Sequence, residues 1–136
     1  MTSSQTCKTV RYLTAGELVR INEAEAGPEL LADFGLLESA ALRPQQSVFG
    51  ADAYPDIHTK AAALMHSLIR NHPFVDGNKR TAVLAARLFY NLNGWDLHVE
   101  PGDLVALAVD IAEGQIDVAS IAAIVKGWAQ ELELPT

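Results

Sequence analysis

The chain of 136 residues holds one cysteine, Cys7, so no internal disulfide can staple it. Cys7 sits in a polar N-terminal stretch, Met1-Thr2-Ser3-Ser4-Gln5-Thr6-Cys7-Lys8, and is read as incidental rather than as a catalytic thiol. That stretch lacks the apolar core of a secretory signal, and no run of about 18 apolar residues occurs elsewhere. The expectation is a cytoplasmic protein with no membrane partner. Basic residues are also scarce: 10 Lys and Arg stand against 17 Asp and Glu, a net charge of −7. An acidic surface repels phosphate backbones, which excludes broad nucleic-acid binding. Repeats, low-complexity tracts and linkers are absent, and a 49% hydrophobic composition suits one domain spanning residues 1–136 with a single core.

What is present is mostly helical punctuation. Thr14-Ala15-Gly16-Glu17 has the form of a capping box, in which the Thr and Glu side chains satisfy free N–H groups at a helix start. It predicts a first helix over residues 15–25, stopped by Gly27-Pro28. A second helix through Gly35-Leu36-Leu37-Glu38-Ser39-Ala40-Ala41-Leu42 ends before Pro44. Residues 44–56 read as loop with room for a short β-hairpin flap, although no strict alternation demands one. Asp56 caps a third helix whose Ile57, Ala61, Leu64, Leu68 and Ile69 share a face, ending near Asn71. The segment Asn78 to Asn93 is apolar on most sides and is expected to be the central helix, wrapped by the others and stopped by Gly94. Trp95 to Val99 is briefly extended, and Asp103 caps a fifth helix reaching about Glu113. A last helix covers Val118 to Leu132, with Ile121, Val125, Trp128 and Leu132 facing inward. The fold class is therefore all-α: about six helices around a central one.

The positive charge concentrates in one place, with Arg70, Lys79, Arg80 and Arg87 close together in an acidic chain. Within it, His72 closes one helix, Asp76 follows in the loop, and Gly77-Asn78-Lys79-Arg80 opens the next. The first turn of a helix exposes unpaired N–H groups and the positive end of its dipole, which suits phosphate. Gly77 lets a ligand approach the backbone, and Lys79 and Arg80 add charge in directions about 100° apart around the helix. The Asp76 carboxylate suits a magnesium ion bridging phosphates, and His72 suits a general base for a hydroxyl nucleophile. Together they form a kit for phosphoryl or nucleotidyl transfer. On the residues alone a plainer reading stands beside it: His72 as a helix-ending histidine, Asp76 as a cap, Lys79 and Arg80 as a solvated pair. Phe74 reads as a core anchor for the loop and Pro73 as its stiffener. His58, His66 and His98 lack a third metal ligand, and Trp95 and Trp128 read as core.

His72-Pro73-Phe74-Val75-Asp76-Gly77-Asn78-Lys79-Arg80 resembles the signature of the Fic/Doc family, His-x-Phe-x-Asp/Glu-Gly/Ala-Asn-x-Arg. Gly35 to Ala40, Arg43-Pro44, Lys60-Ala61-Ala62 and Arg70-Asn71 are similar to Doc-type members, so the likeness covers most of residues 9–130. The resemblance implies the helical Fic fold with the motif on a helix–loop–helix. It implies His72, Asp76 and Arg80 as catalytic residues, with Asp76 also the metal ligand. Phe74, Gly77, Asn78, Lys79 and Arg80 form the implied nucleotide-binding set, in which Asn78 contacts phosphate and Arg80 clamps it. ATP and Mg2+ are the implied cofactors. Lys79 is the Doc-type residue and favours phosphorylation of a Ser or Thr hydroxyl of a host protein, which in Doc relatives is a translation elongation factor. Gly77 is shared with adenylyl-transferring members, so protein adenylylation stands as the alternative, with a silent nucleotide- or antitoxin-binding module as a third. Doc relatives often carry Arg-Asp where this chain has Ala32-Asp33, leaving Arg70 or Arg87 as substitutes. The self-inhibitory motif of some members is broken, because Val109 stands where Ser or Thr precedes the glutamate at Glu113. Inhibition is thus expected from a separate antitoxin, docking on the first two helices and the loop from Pro44 to Asp56, where Phe49 and Tyr54 have no core role by periodicity.

Overall fold

The structure is a computed structural model that describes residues 9–133, so Cys7 lies outside the described residues. Helix α1 (Ala15–Ala26) begins at Thr14, whose hydroxyl accepts from the Glu17 N–H while the Glu17 carboxylate accepts from the Thr14 N–H, the expected capping box. Gly27 ends it. Helix α2 (Phe34–Leu42) is capped by Asp33. Pro44 then sits inside a 3-10 turn, Arg43–Gln45, since an N-terminal position asks no N–H of it.

The 44–56 stretch does contain a hairpin, with two-residue strands β1 (Ser47–Val48) and β2 (Ala51–Asp52) paired antiparallel. Phe49 and Gly50 both have positive φ, at 52° and 82°, as a tight two-residue hairpin turn requires. Lys60 anchors this hairpin. It is 2% exposed, and its Nζ donates to the Asp52 carboxylate and the Pro44 carbonyl, each at 3.3 Å, while lying over the Tyr12 ring.

Helix α3 (Ile57–Asn71) starts at an Asp56 capping box and is the true centre of the molecule. It packs on α2, the 3-10 turn and helices α4 (Asn78–Leu92), α5 (Pro101–Ala112) and α6 (Val118–Trp128). Ala61, Ala62, Ala63, Leu64, Met65, Leu68 and Ile69 are all buried. The fourth helix was the sequence's candidate for this place, and the structure corrects it. Lys79, Arg80 and Leu88 of α4 are exposed and Val83 and Leu84 only half-buried, and of these Lys79, Arg80 and Val83 border an open cleft. Alanine-rich α3 instead admits neighbours closely on most sides, leaving a stripe of Thr59, His66 and Arg70 partly open.

Two boundaries also move. Helix α5 begins at Pro101, whose fixed φ suits the first turn, so Asp103 lies within that turn rather than capping it. Helix α6 stops at Trp128, and the chain continues as β4 (Ala129–Glu131), antiparallel to β3 (Trp95–Leu97). Backbone pairing replaces the last helical turn there: His98 donates to the Trp128 carbonyl and Leu132 to that of Gly94. Leu132 is consequently exposed, not inward-facing. Among the described residues six α-helices and two small antiparallel strand pairs make an all-α fold, and no helix is long and apolar enough to cross a membrane.

Two histidines are built into this frame. His58 is buried, its Nδ1 2.9 Å from the Tyr90 hydroxyl and its ring edge-on to Trp95. His66 Nδ1 lies 2.9 Å from the Arg43 guanidinium. Burial lowers the pKa of both, and Arg43 and Arg70 lower that of His66 further. The unfolded chain therefore takes up protons more readily than the folded one. Stability is complete above the ordinary histidine pKa of about 6.5 and falls as pH drops through it. The urea midpoint is expected to decrease between about pH 7.5 and 5.5, and the double variant His58→Gln, His66→Gln should flatten that dependence. An unchanged wild-type midpoint over this interval would contradict the assignment.

Candidate active site

Helix α3 terminates at His72, which adopts φ 50° and ψ 58°. This left-handed conformation is uncommon for a residue with a side chain and turns the chain sharply out of the helix. The following loop runs to Gly77, also left-handed at φ 82°, where α4 begins. A segment from between α1 and α2 pairs with it. Ala32 and Asp33 donate to the Pro73 carbonyl at 2.8 and 3.1 Å, and Val75 donates to the Leu30 carbonyl at 2.7 Å. Leu31 and Phe74 form an isolated antiparallel bridge. Ala32-Asp33, where Doc relatives often have Arg-Asp, thus braces the motif through backbone groups.

Inside the loop, Phe74 is 3% exposed and belongs to the hydrophobic core. It is the anchor expected from sequence and is not among the residues lining the cleft. Asn78 is nearly as buried. Its Oδ1 accepts from the Phe74 N–H at 3.1 Å, and its Nδ2 donates to the Phe74 carbonyl at 2.8 Å and lies 3.3 Å from His72 Nδ1. The Asn78 side chain thus ties the loop to itself and to His72, while the residue also borders the cleft at the start of α4.

Helix α1 braces the loop from a third direction. Asn22, 1% exposed, donates through Nδ2 to the Asp76 carbonyl at 2.9 Å and to the Thr81 hydroxyl oxygen at 3.2 Å. A Cβ on Gly77 would come within 2.7 Å of Ala26 Cβ and 3.0 Å of Asn22 Nδ2. Glycine is required here by its positive φ and by α1, and the residue also borders the cleft. Asn22 and Thr81 are site-supporting residues that sequence reasoning missed. The available signal was a polar side chain at position 22, four residues after buried Leu18 on the inward face of an amphipathic helix.

These constraints open a cleft of about 520 Å3. His72, Asp76, Lys79 and Arg80 line it, together with the start of α4. Val83 of α4 and Val105 and Ala108 of α5 supply an apolar lining. Asp76 Oδ1 accepts from the Gly77 N–H at 2.8 Å, and its second oxygen has no protein partner among the described residues. Arg80 donates to the Glu25 carbonyl at 2.9 Å, at the C-terminal end of α1. The Arg70 guanidinium donates to the Ala112 carbonyl at 2.7 Å and packs beside Gly114, while Arg87 contacts the Leu97 carbonyl at 3.4 Å. Neither is among the residues lining the cleft. Among the described residues no group of three or more His, Cys, Asp or Glu is arranged to hold a metal, so any ion here relies on one carboxylate plus ligand oxygens.

Residues 3–90 match the family model described as Fic/DOC family. A protein named "Toxin Doc" from Mycolicibacterium smegmatis is 43% identical over 123 residues, covering 87% of this chain and 93% of that protein. A second, named "Protein kinase doc", from Escherichia phage P1, is 32% identical over 117 residues, covering 83% of this chain and 91% of its own length. With the motif seated on a helix–loop–helix in an all-helical fold and these matches running along most of its length, this chain belongs to the Fic/Doc family.

Proposed function

We propose that this protein is a Doc-like toxin, a transferase that moves a phosphoryl group from ATP to a Ser or Thr hydroxyl of a host protein, with a translation elongation factor as the target. One observation carries the reading: His72, Asp76, Lys79 and Arg80 line one cleft at the open N-terminus of α4. His72 takes the proton of the acceptor hydroxyl as its oxygen attacks phosphorus and the bond to the departing ADP breaks. The first-turn N–H groups of α4, with Lys79 and Arg80, bind and stabilise the phosphate charge. Asp76, with one carboxylate oxygen still available, fits a magnesium ligand in a site where nucleotide oxygens and water complete the shell. When bound, the ion supplies charge neutralisation on the phosphate oxygens. The apolar side chains of Val83, Val105 and Ala108 suit the nucleoside end of ATP.

Lys79 and the name of the phage relative support phosphoryl over nucleotidyl transfer. Gly77 is shared with adenylyl-transferring members, and the 2.7 Å approach a Cβ there would make to Ala26 gives it a packing reason independent of the group transferred. The relative named as a toxin supports a growth-arresting role and with it a cognate antitoxin. For such a partner, Phe34, Leu36 and Leu42 of α2 and Val48 and Phe49 of the hairpin offer exposed apolar side chains. Phe49 is fully exposed, whereas Tyr54 is occupied in accepting a hydrogen bond from Arg43 at 2.8 Å.

Incubated with ATP, magnesium and an extract supplying the acceptor, the protein should add the mass of one phosphoryl group to a target. Addition of a nucleotidyl mass would replace this reading with adenylyl transfer. His72→Ala should lower the rate about a hundred- to ten-thousand-fold with the circular dichroism unchanged, and wild-type turnover in that variant would remove His72 as the base. Asp76→Asn should sharply raise the magnesium concentration needed for half-maximal rate. Full activity in excess chelator would take the metal out of the reaction. In cells, expression alone should arrest growth, and co-expression with the antitoxin should restore it and allow the two proteins to co-purify. Normal growth with soluble, intact protein would count against a toxin.

A further inference from the structure

Two bonds to one residue fix the orientation of the Asn78 amide. Its Oδ1 faces the Phe74 N–H at 3.1 Å and its Nδ2 faces the Phe74 carbonyl at 2.8 Å. Exchanging oxygen and nitrogen would set donor against donor and acceptor against acceptor, losing both bonds in a side chain only 8% exposed. The amide therefore has one orientation, and the group 3.3 Å from His72 Nδ1 is an N–H donor. A donor at that place requires a bare lone pair on Nδ1. In neutral imidazole the proton is then on the other nitrogen.

We infer that Asn78 is a positioning residue that holds neutral His72 in its Nε2–H tautomer, so that the resting cleft meets an N–H donor rather than a base at Nε2. Nε2 has no protein partner among the described residues, and His72 lines the cleft. An incoming anionic oxygen is the natural acceptor for this N–H. The catalytic consequence rests on the proposed reading of His72 as the base. When the acceptor O–H bond breaks, its proton must bond to a bare ring nitrogen while the oxygen attacks phosphorus. At rest the bare nitrogen is Nδ1, and the Asn78 N–H already occupies it. Base action at Nε2 requires the ring proton to pass through solvent to Nδ1, and the Asn78 contact to open so that two donors do not face each other.

The test is 15N NMR of the labelled, nucleotide-free protein at a pH of about 9, where ordinary imidazoles are neutral. The ring signals of His72 are identified by their loss in His72→Gln. Wild type should show a protonated Nε2 and a bare, hydrogen-bonded Nδ1. In Asn78→Ala the ratio of Nε2–H to Nδ1–H should fall roughly two- to tenfold, the range one net hydrogen bond is worth. Asn78→Asp keeps an acceptor for the Phe74 N–H and sets an oxygen opposite Nδ1, so the dominant tautomer should invert. A wild-type ring carrying its proton on Nδ1 would overturn the inference, and that result needs no variant to fold. An unchanged ratio in a folded Asn78→Ala protein would overturn it as well. Neither nucleotide nor acceptor is present, so the spectra judge the tautomer whether or not the protein transfers phosphoryl groups.

Discussion

The Asn22 side chain, buried between α1 and the motif loop, is the contact on which the site's geometry turns. Its amide holds the Asp76 carbonyl and the Thr81 hydroxyl, fixing the peptide before Gly77 and the first turn of α4 at once. Loss of the donor would leave the part-buried Asp76 carbonyl and the buried Thr81 hydroxyl without this partner, weakening the brace on the loop. The other braces act around it. The backbone of residues 30–33 grips Pro73 and Val75, Phe74 fills the core below, and Asn78 closes the loop on itself. The side chains that line the cleft are thus carried by a loop braced through its own backbone at Pro73, Phe74, Val75, Asp76 and Gly77.

Charge follows the same economy. The chain as a whole is acidic, yet the cleft gathers Lys79, Arg80 and the open N-terminus of α4. Arg80 is held against the carbonyl end of α1, where a helix dipole favours a cation, and it reaches the cleft from that side. The cleft is thus lined by an arginine already oriented by the protein. Helix α1 consequently serves the site twice, through Asn22 from within and through the Glu25 carbonyl at its end.

Much of this was legible in the sequence. Thr14 with Glu17, Asp56, and Gly27 mark helix ends by local chemistry, and the structure places the helix ends where those residues put them. The motif residues were legible as a group because their spacing straddles a helix–loop–helix. Failures came where a distant partner decides. Leu132 continues the apolar period of α6, but pairing with β3 draws the chain into a strand. The apolar count of α4 hides the fact that one flank faces a cleft, which only the placement of α5 reveals. Asn78 and Gly77 read as ligand-facing from the motif, and both do border the cleft. Their structural neighbours, Phe74 and His72 for one and Ala26 and Asn22 for the other, include groups that a periodicity argument cannot bring near.

The link between Asn22 and the motif joins positions 54 and 59 residues apart. During synthesis α1 leaves the ribosome first and waits, with its inward amide wet, until α4 follows. The loop, the cleft and the gathered positive charge come into being together at that late closure. A chain interrupted before α4 carries His72 but no assembled cleft, so the site exists only once most of the protein has been made.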